Sequence, residues 1–151
     1  LKCRQNTLKI LLDTSFLLPT LGIDVDGEVL ECFGRLVEKK AELYYSSFSI
    51  LESLWIAIRL MRDKSLDVER FNEGLRSIIE GGRYIKVKES SEAFREALRL
   101  YSLGSRDMID NILYASSSIL GLKLLTLDRE LKEFVRKRGL RDVVLLPEEV
   151  I

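Results

Sequence analysis

At 151 residues the chain has the size of one domain, long enough to bury roughly 70% of the surface its unfolded form exposes, so residues 1–151 are read as a single domain. Its 24 basic and 24 acidic residues cancel, which excludes a whole-protein electrostatic funnel for nucleic acid and leaves any such partner to a local patch. Histidine is absent, which excludes Ser-His and Cys-His nucleophiles and histidine zinc sites and leaves carboxylates, hydroxyls, Lys and Arg to carry any chemistry.

Cys3 and Cys32 lack metal-type spacing and suit a reducing compartment. No run approaches the ~20 apolar residues that span a bilayer, and the N-terminus lacks a signal pattern. The expectation is a cytoplasmic protein with no membrane partner. In chain order, Leu8-Lys9-Ile10-Leu11-Leu12 is a short, nearly unbroken apolar run, which predicts a strand buried on both faces, and it stops on Asp13. Val29, Leu30, Phe33, Leu36 and Val37 mark one face of a helix, and Leu43-Tyr44-Tyr45 a second strand. Ser46, Ser47 and Ser49 offer caps for a helix from Ile50 to about Arg62, with Leu51, Leu54, Trp55 and Ile58 turned to the core and Glu52 in its first turns. A helix over Asp67–Glu80 turns Val68, Phe71, Leu75 and Ile78 inward; a strand at Ile85–Lys88 follows. The next helix carries Ala93, Phe94, Ala97, Leu98 and Tyr101, and another opens at Ser105-Arg106-Asp107 and closes at Gly121. Leu122–Leu127 is a strand that ends on Asp128, and a basic helix from Arg129 to Arg138 and a strand at Val143–Leu146 complete the chain. Strands alternate with helices, which predicts an α/β fold with a parallel sheet covered on both faces.

In one parallel sheet, Asp13 and Asp128 project from the same edge, where ligands of such folds bind. Glu52 and Asp110 lie near helix N-termini, and helices that follow strands start at that edge, so four carboxylates converge on one crevice. Crowded carboxylates repel unless a cation sits among them, and an all-oxygen cluster selects hard ions, Mg²⁺ or Mn²⁺. Waters on such an ion supply a nucleophile for displacement at phosphorus. Asp107, Asp110 and Asn111 share one helix face by spacing, a concentration of like charge that a cation would explain. Each acid also has a local reading. Ser49-Ile50-Leu51-Glu52 matches a capping box, Asp107 and Asp110 suit a first helical turn, and Asp13 and Asp128 suit caps.

Leu11-Leu12-Asp13-Thr14-Ser15-Phe16, Glu52 within Ser49–Trp55, Asp110-Asn111-Ile112-Leu113-Tyr114-Ala115 and Leu122-Lys123-Leu124-Leu125-Thr126-Leu127-Asp128 together resemble the PIN-domain nucleases, with the four acids in family order from Leu8 to Pro147. The resemblance implies a three-layer α/β/α sandwich around about five parallel strands, and an endoribonuclease that hydrolyses RNA at a site binding Mg²⁺ or Mn²⁺. It implies that Asp13, Glu52, Asp110 and Asp128 are the catalytic metal ligands, with Thr14 and Thr126 at the family's hydroxyl positions; Asp107 is an addition to the family pattern, a candidate further ligand or a replacement for Asp110, and Asp110 is preferred. It further implies a VapC-type toxin, usually a homodimer, with an antitoxin protein as partner. The alternatives are an RNA-processing nuclease without antitoxin and a catalytically silent module that binds a protein. Asn111 and Tyr114 depart from the small residues usual after the helix acid.

Arg106, beside the acids, is a candidate contact for a substrate phosphate. Lys132, Arg136, Lys137, Arg138 and Arg141 form the one dense basic run, read either as a nucleic-acid grip or as a solvated face at a helix C-terminus. Trp55 is assigned to the core rather than to a base-stacking platform.

Overall fold

In the computed structural model, which describes residues 6–151, strand β1 (Lys9–Leu12) is buried because its side chains alternate between two cores. Cys3 lies outside the described residues. Ile10 and Leu12 enter a core shared with Val29, Leu36, Phe71 and Ile78, while Leu11 enters one shared with Leu100, Leu113, Leu124 and Val135. The period of two of an extended chain thus puts helices on both faces of the sheet. The first core is closed by α1 (Gly27–Glu38), α2 (Ser47–Arg62) and α3 (Val68–Glu80), the second by α4 (Ser91–Ser102), α5 (Met108–Leu120) and α6 (Arg129–Lys137). The three-layer α/β/α sandwich is as the sequence predicts.

With β2 (Glu42–Tyr45), β3 (Tyr84–Lys86), β4 (Lys123–Leu125) and β5 (Val144–Leu145), the sheet has five parallel strands in the order β3-β2-β1-β4-β5. The chain winds outward on one side of β1 to β3, then returns to build β4 and β5 on the other. That reversal makes the crevice between β1 and β4 the topological switch point, where open α/β sheets bind their ligands. Leu12 stands opposite Leu125, and the Asp13 amide donates to the Leu125 carbonyl at 3.0 Å, so Asp13 and Thr126 leave adjacent strands side by side.

Helix α5 is buried nearly all round, from Asp110 to Ser117, and Gly121 closes it in the left-handed region at φ 72°. Asn111 is wholly buried: its amide donates to the carbonyl of Ser105 at 2.8 Å and of Ala97 at 3.4 Å, and its carbonyl accepts from the Ser105 hydroxyl at 2.5 Å. It therefore fastens α4 and the turn before α5, which accounts for its departure from a small residue. Close approach governs α3 as well: a Cβ on Gly74 would stand 2.1 Å from the Thr20 carbonyl oxygen, so only glycine lets this helix lie on that loop.

Helix α2 inverts its expected face, and α4 buries only the small members of its own. In α2 the buried side chains are Ser49, Ser53 and Ala57, whereas Leu51, Leu54, Trp55 and Ile58 are exposed. In α4 Ala93, Ala97 and Leu100 are buried and Phe94, Leu98 and Tyr101 exposed. Small residues let both helices approach the layer beneath, and an i, i+4 apolar stripe reads alike whether it faces a core or solvent. Leu30, Val37 and Val68 are exposed likewise, and Ile119 sits at the surface of α5. Helix α2 also starts earlier than expected, with Ser46 as its N-cap accepting from the Phe48 amide at 3.1 Å, and α5 starts later, at Met108. Among the described residues no helix is long and apolar enough to cross a membrane.

Candidate functional site

The carboxyl end of β1 places Asp13, and short local bonds hold it there. Its Oδ1 accepts from the Thr14 amide at 2.7 Å, its Oδ2 from the Thr126 hydroxyl at 2.8 Å, and that same Thr126 oxygen accepts from the Asp128 amide at 3.0 Å. Thr126 is fully buried and so couples the ends of β1 and β4. The Thr14 hydroxyl donates to Glu52 Oε1 from α2. The two threonines at hydroxyl positions therefore each orient one acid.

Glu52 is not part of a capping box. Ser49 lies inside α2, where it accepts the Ser53 hydroxyl on its carbonyl, and the Glu52 carboxylate turns to Thr14 instead. Asp107 and Asp128 do cap helices. Asp107 Oδ1 accepts from the Asp110 amide at 3.1 Å, which leaves its second oxygen without a described donor, and Asp128 Oδ1 accepts from the Leu131 amide at 3.0 Å. Of the common face expected for Asp107, Asp110 and Asn111, the two acids remain together, Asp107 as the cap of α5, while Asn111 turns away to Ser105 and Ala97.

Asp110 is the deepest of the set, 9% exposed. Burial first, then the charge of Asp13, a hydrogen bond shared with Asp128 and the charges of Asp107 and Asp128, pushes its carboxyl up to about 9. Burial likewise raises Asp13 to about 6, against the lowering effect of the Thr126 hydroxyl and the Thr14 amide, with Glu52 and Asp107 adding to the rise. None of Asp13, Glu52, Asp107, Asp110 and Asp128 makes an ion pair with a described basic side chain. Five acids thus gather at the switch point with no ion pair to a described basic side chain.

Among the described residues no three such side chains are already gathered as ligands of one ion. Like-charged carboxylates relax onto the nearest protein donors, as Asp13, Glu52, Asp107 and Asp128 do. The donor chemistry, all oxygen with one acid buried against its neighbours, fits a hard divalent cation.

Asp107 and Asp110 stand between two clefts. One, of about 490 Å³, is lined by Asp13, Glu52, Asp107 and Asp110 together with Trp55 and Arg59 of α2. The other, of about 400 Å³, adds Asp128, Arg106 and Phe134. Arg106 lies over the Tyr101 ring, 5.2 Å from its centroid, and donates to its hydroxyl at 3.3 Å. The basic run is absorbed into the structure instead. Lys132 binds the Val144 carbonyl at 2.6 Å, Arg138 that of Leu103 at 2.7 Å, Arg141 that of Ser118 at 2.8 Å, and Arg136 and Lys137 pair with Glu133. Trp55 and Arg59 are the site residues that sequence reasoning missed. Both lie on the helical face of Glu52, at i+3 and i+7, a spacing that marks them once Glu52 is taken as the centre.

The sequence pattern of the PIN domain matches residues 10–137, and the chain belongs to the PIN domain family. Among solved structures, a toxin-antitoxin complex from Klebsiella pneumoniae superposes at a TM-score of 0.57, with 14% identity over 91% of this chain and 97% of that one. DNA-bound VapBC from Salmonella typhimurium gives 0.57, with 21% identity over 93% and 99%. PAE2754 from Pyrobaculum aerophilum gives 0.60, with 16% identity over 96% and 89%. At these identities the likeness is one of fold. A search of the curated proteins returns no match.

Proposed function

We propose that this chain is a Mg²⁺- or Mn²⁺-dependent endoribonuclease of one domain, acting in the cytoplasm as the toxin of a toxin-antitoxin pair and assembling as a homodimer. The observation that carries the proposal is the cluster of Asp13, Glu52, Asp107, Asp110 and Asp128 at the switch point, where burial raises two carboxyls and no described basic side chain forms an ion pair with any of the five. Asp13, Glu52, Asp110 and Asp128 would hold the ion, with the free oxygen of Asp107 beside them. When bound, such an ion supplies an activated water and offsets the charge that builds on phosphoryl oxygens. The remaining work falls to the chain. Thr126 and Thr14 fix Asp13 and Glu52 by donating hydroxyl protons, so these two carboxylates are oriented before any ligand arrives. Burial and the neighbouring acids raise the Asp110 carboxyl, and a cation bound among them would favour its ionised form. Arg106, steadied on Tyr101 and lining the second cleft, would receive a substrate phosphate there.

The toxin assignment is supported by two fold neighbours, the toxin-antitoxin complex from Klebsiella and the DNA-bound VapBC from Salmonella. A second reading, a silent module that binds a protein, is favoured by the exposed apolar faces of α2 and α4. The deciding experiment is cleavage of a panel of single-stranded and structured RNAs with Mn²⁺ or Mg²⁺, comparing wild type, Asp13→Asn and a chelator control. Cleavage by wild type alone supports the nuclease. No cleavage of any RNA, together with no Mn²⁺ binding by calorimetry, selects the silent module.

A further inference from the structure

We propose that the α2 face carrying Glu52 is a subsite for single-stranded nucleic acid, in which one base stacks on Trp55 and Arg59 pairs with the adjoining phosphate. The inference rests on the nuclease reading and adds to it where the substrate lies. Trp55 is 51% exposed, an unusual position for the one tryptophan of a chain with a filled core. Of the five exposed large apolar residues of α2, namely Leu51, Leu54, Trp55, Ile58 and Met61, only Trp55 lines the cleft that contains Asp13, Glu52, Asp107 and Asp110. The rest of that stripe lies outside the cleft, which separates Trp55 from a plain protein-docking face.

Arg59 follows one turn later on the same face and lines the same cleft. It makes no ion pair with any described residue, although four carboxylates share the cleft with it. An unpaired guanidinium beside an exposed indole matches the two faces of a nucleotide, a phosphate and a π-surface. Asp107 and Asp110 also line the second cleft with Arg106, so a strand entering over Trp55 crosses the acids and leaves past Arg106. In a duplex the bases are stacked on one another and cannot reach Trp55, so the subsite selects unpaired strands.

Because Trp55 is the only tryptophan, its fluorescence reports this subsite alone. The test titrates wild-type protein in Ca²⁺ with a short fluorescein-labelled oligoadenylate and with its duplex, reading anisotropy and tryptophan emission together. Expected are a rise in anisotropy and quenching of Trp55 by the single strand, with little quenching by the duplex. Trp55→Ala weakens binding on the order of tenfold while Trp55→Phe retains most of it. Arg59→Ala lowers the salt slope of binding by about 0.7. A rise in anisotropy with unchanged Trp55 emission and unchanged affinity of Trp55→Ala overturns the subsite and leaves the nuclease reading standing. No rise with any oligonucleotide overturns both. Emission that follows protein concentration instead of oligonucleotide places Trp55 between copies of the chain and overturns the subsite.

Discussion

Helices α2 and α5 begin at the same edge of the sheet and each delivers one acid to the switch point, yet they are built on opposite plans. Helix α5 is buried on almost every side, and Asp110 in its first turn shares that burial, which raises its carboxyl to about 9. Helix α2 buries Ser49, Ser53 and Ala57 and turns its large apolar side chains outward, so Glu52 comes from a helix held on one narrow face. The same chemical group is therefore coupled to stability in α5 and close to independent of it in α2. The core sets one half of the site, and a presented helix sets the other.

The sharpest test of that difference is a pair of isosteric changes. Asp110→Asn and Glu52→Gln should each lower RNA cleavage by at least about 100-fold, the upper end of the loss caused by disturbing an outer-shell partner of a metal. Their melting behaviour should diverge. At alkaline pH Asp110→Asn removes a buried charge and should raise the melting temperature of the metal-free protein, whereas Glu52→Gln should leave it nearly unchanged.

The second test uses pH. Asp13 and Asp110 have folded pKa values near 6 and 9, above the ordinary 3.8, so between those limits the native state holds more protons than the unfolded chain. The stability of the metal-free protein is then full below about pH 4 as far as these two groups are concerned, falls as pH rises through 6, and falls further toward 9. The Asp13 part amounts to about 3 kcal/mol at most. Mg²⁺ or Mn²⁺ should reverse the trend by favouring the ionised forms. Thermal melts with chelator and with metal from pH 5 to about 9 follow both; a stability that rises with pH in chelator would contradict the crowded, cation-free acids.

Asn111 should show the next largest effect. Asn111→Ala removes an amide that binds three partners in the buried turn before α5 and leaves the Ser105 and Ala97 carbonyls without it, a cost of about 2–3 kcal/mol. A fall of roughly 5–10 °C in melting temperature is expected. If Asn111 instead served the metal site, activity would drop with no such fall.

How much of this was legible in the sequence follows from which signals are local. β1 and β4 were readable because a short apolar run ending on Asp13, and another ending at Thr126-Leu127-Asp128, need only local pattern and one topological rule. The convergence of the acids on one edge of the sheet followed from the same rule, although their carboxylates relax onto local donors. The caps were partly legible: Asp128 served as one, Asp107 moved from the helix face to its cap, and Ser49 proved interior. What could not be read was the direction of an amphipathic face. In α2 the large residues form a proper stripe, and only the layer beneath, which receives Ser49, Ser53 and Ala57, decides that the stripe faces out; in α4 the layer beneath receives Ala93, Ala97 and Leu100 and leaves Phe94, Leu98 and Tyr101 outside.

That decision is itself testable within one helix. Ala57→Leu places three further carbon atoms into the α2 contact with the first core and should cost about 1–3 kcal/mol through forced rotamers and helix displacement. Leu54→Ser, three residues away on the exposed side, should change stability by no more than about 0.5 kcal/mol, since it removes an apolar group that solvent already reaches. For a chain of this size the first change lowers the melting temperature by several degrees and the second by about 1–2 °C at most. If Leu54→Ser melted the protein as strongly as Ala57→Leu, the outward face would be covered in solution. Re-measuring both variants over a dilution series would then show whether that cover is a second copy of the chain: only a loss of stability that grows on dilution fits an interface between copies.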